Sequence, residues 1–120
     1  MKLSIIVPVY NMVSGNKLEY CLNSLMNQTI TDYEVIAVDD ASTDNSLEVL
    51  RQYEKKYSNI LKVLALPENH KQGGAKNAAL EVCTGEYIGF VDSDDWVMPN
   101  MYERLVEAVE NNQADMAICN

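Results

Sequence analysis

Long apolar runs are missing from this sequence: none approaches the ~20 residues that a membrane-spanning helix needs. The opening KLSIIVPVY is too short and too lightly basic for a signal peptide, and no small-residue cleavage site follows it. Cysteine is scarce. Cys21, Cys83 and Cys119 are odd in number and widely spaced, with no CxxC, so they read as buried thiols of a reducing cytosol and not as a disulfide framework or zinc site. Positive charge is short as well: 9 Lys and Arg face 18 Asp and Glu, for a net charge of −9. That balance excludes a general nucleic-acid surface, which needs a basic footprint. A small phosphorylated ligand remains compatible with it if a local cation offsets the acidic field. No GxGxxG follows the first apolar run, which removes the dinucleotide-binding fingerprint. His70, the single histidine, has no patterned partner and reads as a loop residue.

What is present is the make-up of one globular domain, 120 residues long with 48% apolar residues. Five short apolar runs, at residues 3–9, 33–38, 60–66, 87–91 and 116–119, are rich in Val and Ile. Most are continuously apolar, as strands buried on both faces of a parallel sheet are. Between them run stripes of helical period: Leu18, Cys21, Leu22 and Leu25; Leu47, Leu50, Tyr53 and Tyr57; Ala75, Ala78, Ala79 and Val82; Tyr102, Leu105, Val106 and Val109. Thr43 or Asp44 is expected to cap the second helix, Gly85 to supply a left-handed cap after the third, and Pro99 to mark the start of a fourth. The order βαβαβαβαβ predicts the α/β class: an open, mainly parallel sheet with helices on both faces. The chain stops inside or just beyond its last apolar run, which reads as a domain cut short.

Open parallel sheets bind ligands beyond the carboxyl ends of their strands. Pro8, Val9, Tyr10 and Asn11 close the first run; Asp39, Asp40, Ala41 and Ser42 follow the second; Asp92, Ser93, Asp94, Asp95 and Trp96 follow the fourth. Five carboxylates are thus expected on one rim, with nothing comparable at the opposite end of the strands. Two ionised carboxylates about 4 Å apart repel by roughly 4 kcal/mol at an effective dielectric of about 20. Either acidic loop alone also reads as a polar turn whose acids cap the next helix, Asp94 or Asp95 serving the helix that begins near Pro99. Together they suit a hard divalent cation, Mg²⁺ or Mn²⁺, which takes carboxylate and phosphate oxygens. Alternate residues of an extended segment face one way, so Asp92 and Asp94 can share a ligand. In ENHKQGGAKNAAL, Gly73 and Gly74 allow close backbone approach at a helix start that favours anions, with Lys76 and Asn77 in its first turn. Lys76 suits a diphosphate and equally a solvated surface, while Trp96 reads as a packing anchor.

The segments SIIVPVYN, VDDASTDNS, GGAKNAAL and GEYIGFVDSDDWVMP closely resemble the family 2 glycosyltransferases, in order and spacing, over essentially all 120 residues. The resemblance implies an inverting enzyme of the GT-A fold, a Rossmann-like nucleotide-binding architecture. Its substrate would be a nucleotide-diphosphate sugar, UDP-linked by default, and its acceptor a saccharide or a lipid-linked molecule. It implies that Pro8, Val9, Tyr10 and Asn11 line the base and ribose pocket and that Asp39 bonds the base beside Asp40. Lys76 would lie near the diphosphate, where the family more often has arginine. Asp92 and Asp94 would end the DxD motif, Asp94 as metal ligand and Asp92, with Ser93, nearer the ribose or diphosphate. Residues 1–120 would then be the donor-binding part, with the acceptor-binding part and the catalytic base beyond Asn120. Work at the cytoplasmic face of a membrane, in polysaccharide synthesis, is the setting this implies.

Rivals from other classes fit less well. A phosphorelay receiver carries its acid pair after the first strand, and a DxDxT phosphatase its motif there, whereas this chain has Pro-Val-Tyr-Asn at that point. A non-catalytic nucleotide-sugar-binding module is the remaining alternative, and the intact DxD speaks against degeneracy.

Overall fold

The computed structural model describes residues 3–11, 17–29, 32–68, 71–93 and 97–112, with only the backbone of residues 71–73, 75, 76 and 108–112. Four strands, β1 (Leu3–Val9), β2 (Tyr33–Asp39), β3 (Leu61–Ala65) and β4 (Tyr87–Phe90), alternate with four helices, α1 (Lys17–Met26), α2 (Ser46–Lys56), α3 (Lys71–Val82) and α4 (Met101–Asn112). The strands form one parallel sheet in the order β3-β2-β1-β4. The fifth apolar run, 116–119, lies outside the described residues.

Every residue of β1 and β2 is buried, as their unbroken apolar sequence predicts for central strands. Leu3, Ile5, Val7 and Val9 of β1 face a core with Leu18, Cys21, Leu22 and Leu25 of α1, Leu50 of α2, and Tyr102 and Val106 of α4. The opposite face, with Ile6, Ile36 and Val38, packs on Ala79 of α3. The expected arrangement, helices on both faces, is therefore the one observed. Burial of each Leu, Ile or Val here is worth about 1.5–3 kcal/mol, and these side chains supply most of what orders the sheet. The strands at either side depart from the expectation of double-sided burial: β3 exposes Lys62 and Ala65, and β4 is only half covered except at Gly89.

Several local expectations are corrected. Asn45 occupies the cap position of α2 without a side-chain cap bond, while Asp44 Oδ1 accepts the Ser46 N–H at 2.8 Å. Gly85 is not in the left-handed region. It is glycine because a Cβ would sit 2.5 Å from the Ser4 nitrogen, so the chain passes too close to β1 for any side chain. Of the stripe expected on α3, Ala79 is buried, its apolar neighbour four residues on is half-buried Cys83 just past the helix, and Val82 is exposed. At the start of α4, Gln28 accepts the Tyr102 N–H through Oε1 at 3.2 Å and donates through Nε2 to the Met98 carbonyl at 2.8 Å. A side chain from beyond α1 thus serves one of the free amides of α4, while Asp94 and Asp95, the acids expected to cap it, lie outside the described residues.

The amino end of the sheet is not empty of charge. Glu34 is fully buried there; Oε2 accepts the Ser4 hydroxyl at 2.6 Å, the Thr84 N–H at 2.7 Å and the Thr84 hydroxyl at 3.0 Å, and Oε1 takes Lys62 Nζ at 2.9 Å. Burial pushes its carboxyl up, but Ser4, Lys62 and both donors of Thr84 outweigh that and hold it at about 2. With its oxygens engaged in this way, Glu34 stitches β1, β2, β3 and the approach to β4. One acid inside an apolar run gives no sign of its partners, and Glu34 stands here as a single paired carboxylate, not as a cluster like the acids of the opposite rim.

Candidate functional site

The chain runs outward from β1 to β2 and β3, then returns to place β4 on the other side of β1. That reversal makes the carboxyl ends of β1 and β4 the crevice where such sheets bind ligands. Pro8 has a part in opening it. In a parallel ladder alternate residues bond to alternate neighbours; the Ile6 carbonyl accepts the Val91 N–H at 3.0 Å, and the Val9 carbonyl accepts the Asp40 N–H at 2.8 Å. Residue 8 therefore faces β4, and proline has no N–H to offer it. The β1–β4 pairing ends at Ile6 and Phe90, and the chain after Phe90 leaves as the loop of Asp92 and Ser93.

Helix α1 holds both ends of that loop. Cys21 Sγ donates to the Asp92 carbonyl at 3.6 Å, and the Ser24 hydroxyl, three residues on, accepts the Val97 N–H at 3.2 Å. Ser93 is buried and Asp92 half-buried. Asp94, Asp95 and Trp96, the rest of the acidic motif and its aromatic neighbour, lie outside the described residues, as does His70. Cys21 and Ser24 were not singled out from the sequence for this role, since their spacing reads as ordinary helix periodicity.

On the other side of β1, Asp39 ends β2 in register with Val9 and is 2% exposed. Its Oδ2 accepts the Ser42 N–H at 3.2 Å, whereas Oδ1 is buried without a hydrogen-bond partner among the described residues. Such an atom costs about 1–3 kcal/mol when left unpaired. Asp40 is buried beside it. Tyr10 is 45% exposed on the same rim. Asn11 is exposed there too, and its side chain bonds the loop after β2, with Oδ1 accepting the Thr43 N–H at 2.8 Å. Pro8, Val9, Tyr10, Asn11, Asp39, Asp40, Asp92 and Ser93 thus gather on one edge, as the strand-end reading predicts.

Lys76 is placed differently. Helix α3 begins at Lys71, so Gly73 and Gly74 occupy its first turn and Lys76 its second. The dipole fades within the first turn, so the position is not an adverse one for a cation. The Lys76 side chain is outside the described residues.

For a divalent ion the fit is confined to one residue. A half-buried carboxylate at Asp92 offers the hard oxygen donor that Mg²⁺ or Mn²⁺ prefers. Among the described residues no three His, Cys, Asp or Glu side chains group closely enough to hold a metal ion, the second acid of the motif being outside them.

Known proteins share this sequence pattern and fold. The model of the family described as Glycosyl transferase family 2 matches residues 4–120. The chain is 43% identical over 120 residues to a poly(ribitol-phosphate) beta-glucosyltransferase of Bacillus spizizenii, covering 98% of this chain and 19% of that protein. Among solved structures, S. aureus TarS 1-349 in complex with UDP-GlcNAc superposes with a TM-score of 0.83 at 36% identity, covering 94% of this chain and 32% of the other. The mannosyltransferase PcManGT of Pyrobaculum calidifontis, in complex with GDP-Man and Mn²⁺, gives 0.81 at 27% identity, covering 90% and 32%. The chain spans about a fifth to a third of the length of the curated relatives it matches. Its sheet is that of the GT-A glycosyltransferases, and the chain belongs to glycosyltransferase family 2.

Proposed function

We propose that this chain forms the donor-binding part of a metal-assisted, inverting glycosyltransferase that moves a sugar from a UDP-sugar to a saccharide or lipid-linked acceptor. The observation that carries the reading is Asp39: a buried carboxylate with one oxygen bonded to Ser42 and the other unpartnered, on the rim that also bears Asp92. A nucleobase N–H is the donor such an oxygen lacks. Tyr10 and Asn11 flank it, with the exposed Tyr10 ring available to the base or ribose. Asp92 and Asp94 would hold Mn²⁺ or Mg²⁺, and Lys76 would supply positive charge near the diphosphate. Bound there, the ion would stabilise negative charge on the leaving diphosphate. The base that deprotonates the acceptor hydroxyl is assigned to no residue of this chain, so 1–120 alone is expected to bind donor without transferring sugar. TarS in complex with UDP-GlcNAc and PcManGT in complex with GDP-Man and Mn²⁺ support the donor class and the metal.

Titration calorimetry of the chain with UDP, GDP, CDP and dTDP, each with and without Mn²⁺, tests the reading. UDP is expected to bind tightest and only with the metal. Failure of all four to bind in the presence of Mn²⁺ would leave an interaction module in its place.

A further inference from the structure

Among the described residues, Asn11 (φ 51°) and Ala41 (φ 59°) are the non-glycine positions in the left-handed region, and they stand at the ends of the adjacent strands β1 and β2. Asparagine tolerates that region; alanine does so only under constraint. The constraint is visible. Asn11 donates its N–H to Ser42 Oγ at 2.9 Å, its Oδ1 accepts the N–H groups of Thr43 at 2.8 Å and Asp44 at 3.3 Å, and its Nδ2 donates to Thr43 Oγ1 at 3.2 Å. These bonds close on the three residues that follow Ala41. They hold the reverse bend that returns the Ser42 N–H to Asp39 Oδ2, leaving Oδ1 unpartnered.

We propose that Asn11 is a positioning residue for Asp39: its amide clasps the loop after β2, keeps Ala41 left-handed, and so fixes which carboxylate oxygen is left for the nucleotide. The inference rests on the donor-binding reading for its ligand, but the clasp is a property of the chain itself. It differs from a pocket-lining role, because Asn11 would act without touching the nucleotide. It also makes a specific claim about Ala41. Glycine there has no Cβ to oppose positive φ, so the bend would persist with less help from Asn11.

The test uses Asn11→Gly, which keeps the backbone free to adopt positive φ and removes only the amide, with and without Ala41→Gly. Amide hydrogen exchange by NMR and UDP affinity in the presence of Mn²⁺ are both measured. Asn11→Gly is expected to speed exchange at Ser42, Thr43 and Asp44 about tenfold and to weaken UDP about tenfold, from the backbone preference involved. Adding Ala41→Gly should restore most of the Ser42 protection and most of the UDP affinity, while Thr43 and Asp44 stay fast. Unchanged exchange at Ser42 in Asn11→Gly overturns the proposal. So does weakened UDP binding that Ala41→Gly fails to rescue, which would make Asn11 a direct contact. Should the unaltered chain bind no nucleotide, the donor-binding reading falls, and the Ser42 exchange pattern still decides the clasp.

Discussion

Ser4 and Glu34 face each other in register across β1 and β2, with the hydroxyl 2.6 Å from the buried carboxylate. Glu34 is held at about 2, below its ordinary 4.5, so its contribution to stability is complete above pH 4.5 and is lost as pH falls toward 2. The urea midpoint should therefore drop between pH 5 and pH 2.5. Glu34→Gln should remove most of that drop and lower stability at pH 7 by about 2 kcal/mol, because Ser4, Thr84 and Lys62 lose a charged acceptor. A pH profile of the variant parallel to that of the parent would contradict this.

Gly85 lies against the backbone of β1, where an added Cβ meets the Ser4 nitrogen at 2.5 Å and the Leu3 carbonyl carbon at 2.7 Å. Backbone at the start of a central strand has nowhere to move. Gly85→Ala should destabilise by about 2–3 kcal/mol and lower the melting temperature by roughly 10 °C or more, measured by circular dichroism. A shift under 2–3 °C, roughly the spread of a harmless surface change, would show that the approach to β1 is not close.

Asp39→Asn separates stability from binding. The carboxylate is buried with an unsatisfied oxygen, so neutralising it should leave the melting temperature unchanged or higher. The same change should weaken UDP at least about tenfold, the cost of one charge-assisted hydrogen bond. Loss of stability together with unaltered UDP affinity would assign Asp39 a purely structural role.

Asp92→Ala should abolish the dependence of UDP binding on Mn²⁺ while the loop backbone stays anchored, since Cys21 and Ser24 bind main-chain groups at Asp92 and Val97 and not the carboxylate. Calorimetry with and without EDTA reads the first effect, and amide shifts of Val97 the second. Metal-dependent binding that survives the substitution would remove Asp92 from the ion.

Pro8→Ala returns an N–H on the side of β1 that faces β4. The β1–β4 pairing is then expected to extend toward Asp92, seen as new amide protection at residue 8, with UDP binding weakened several-fold, roughly 1 kcal/mol. Protection without any loss of affinity would show that the loop does not need proline to leave the sheet.

Much of this protein is legible along the chain. Unbroken Val- and Ile-rich runs specify strands buried on both sides, and stripes at i, i+3 and i+4 specify which helix faces cover them, because both follow from local geometry and the need to remove apolar surface from water. The family follows from four motifs in order, and the acids fall at strand ends where a parallel sheet gathers them. Other features depend on segments far apart in sequence. Glu34 looks like a misplaced charge in an apolar run until Ser4, Lys62 and Thr84 arrive from three other segments. Gly85 looks like a helix cap until β1 is found against it. Cys21 and Ser24 look like helix periodicity until the Asp92 loop lies across them. Asn11 shows no partner along the chain until the loop after β2 folds onto its amide. The physical reason is common to all four: a hydrogen bond or a steric limit is set by which backbone comes within about 3 Å, and that proximity is created only when the sheet is assembled.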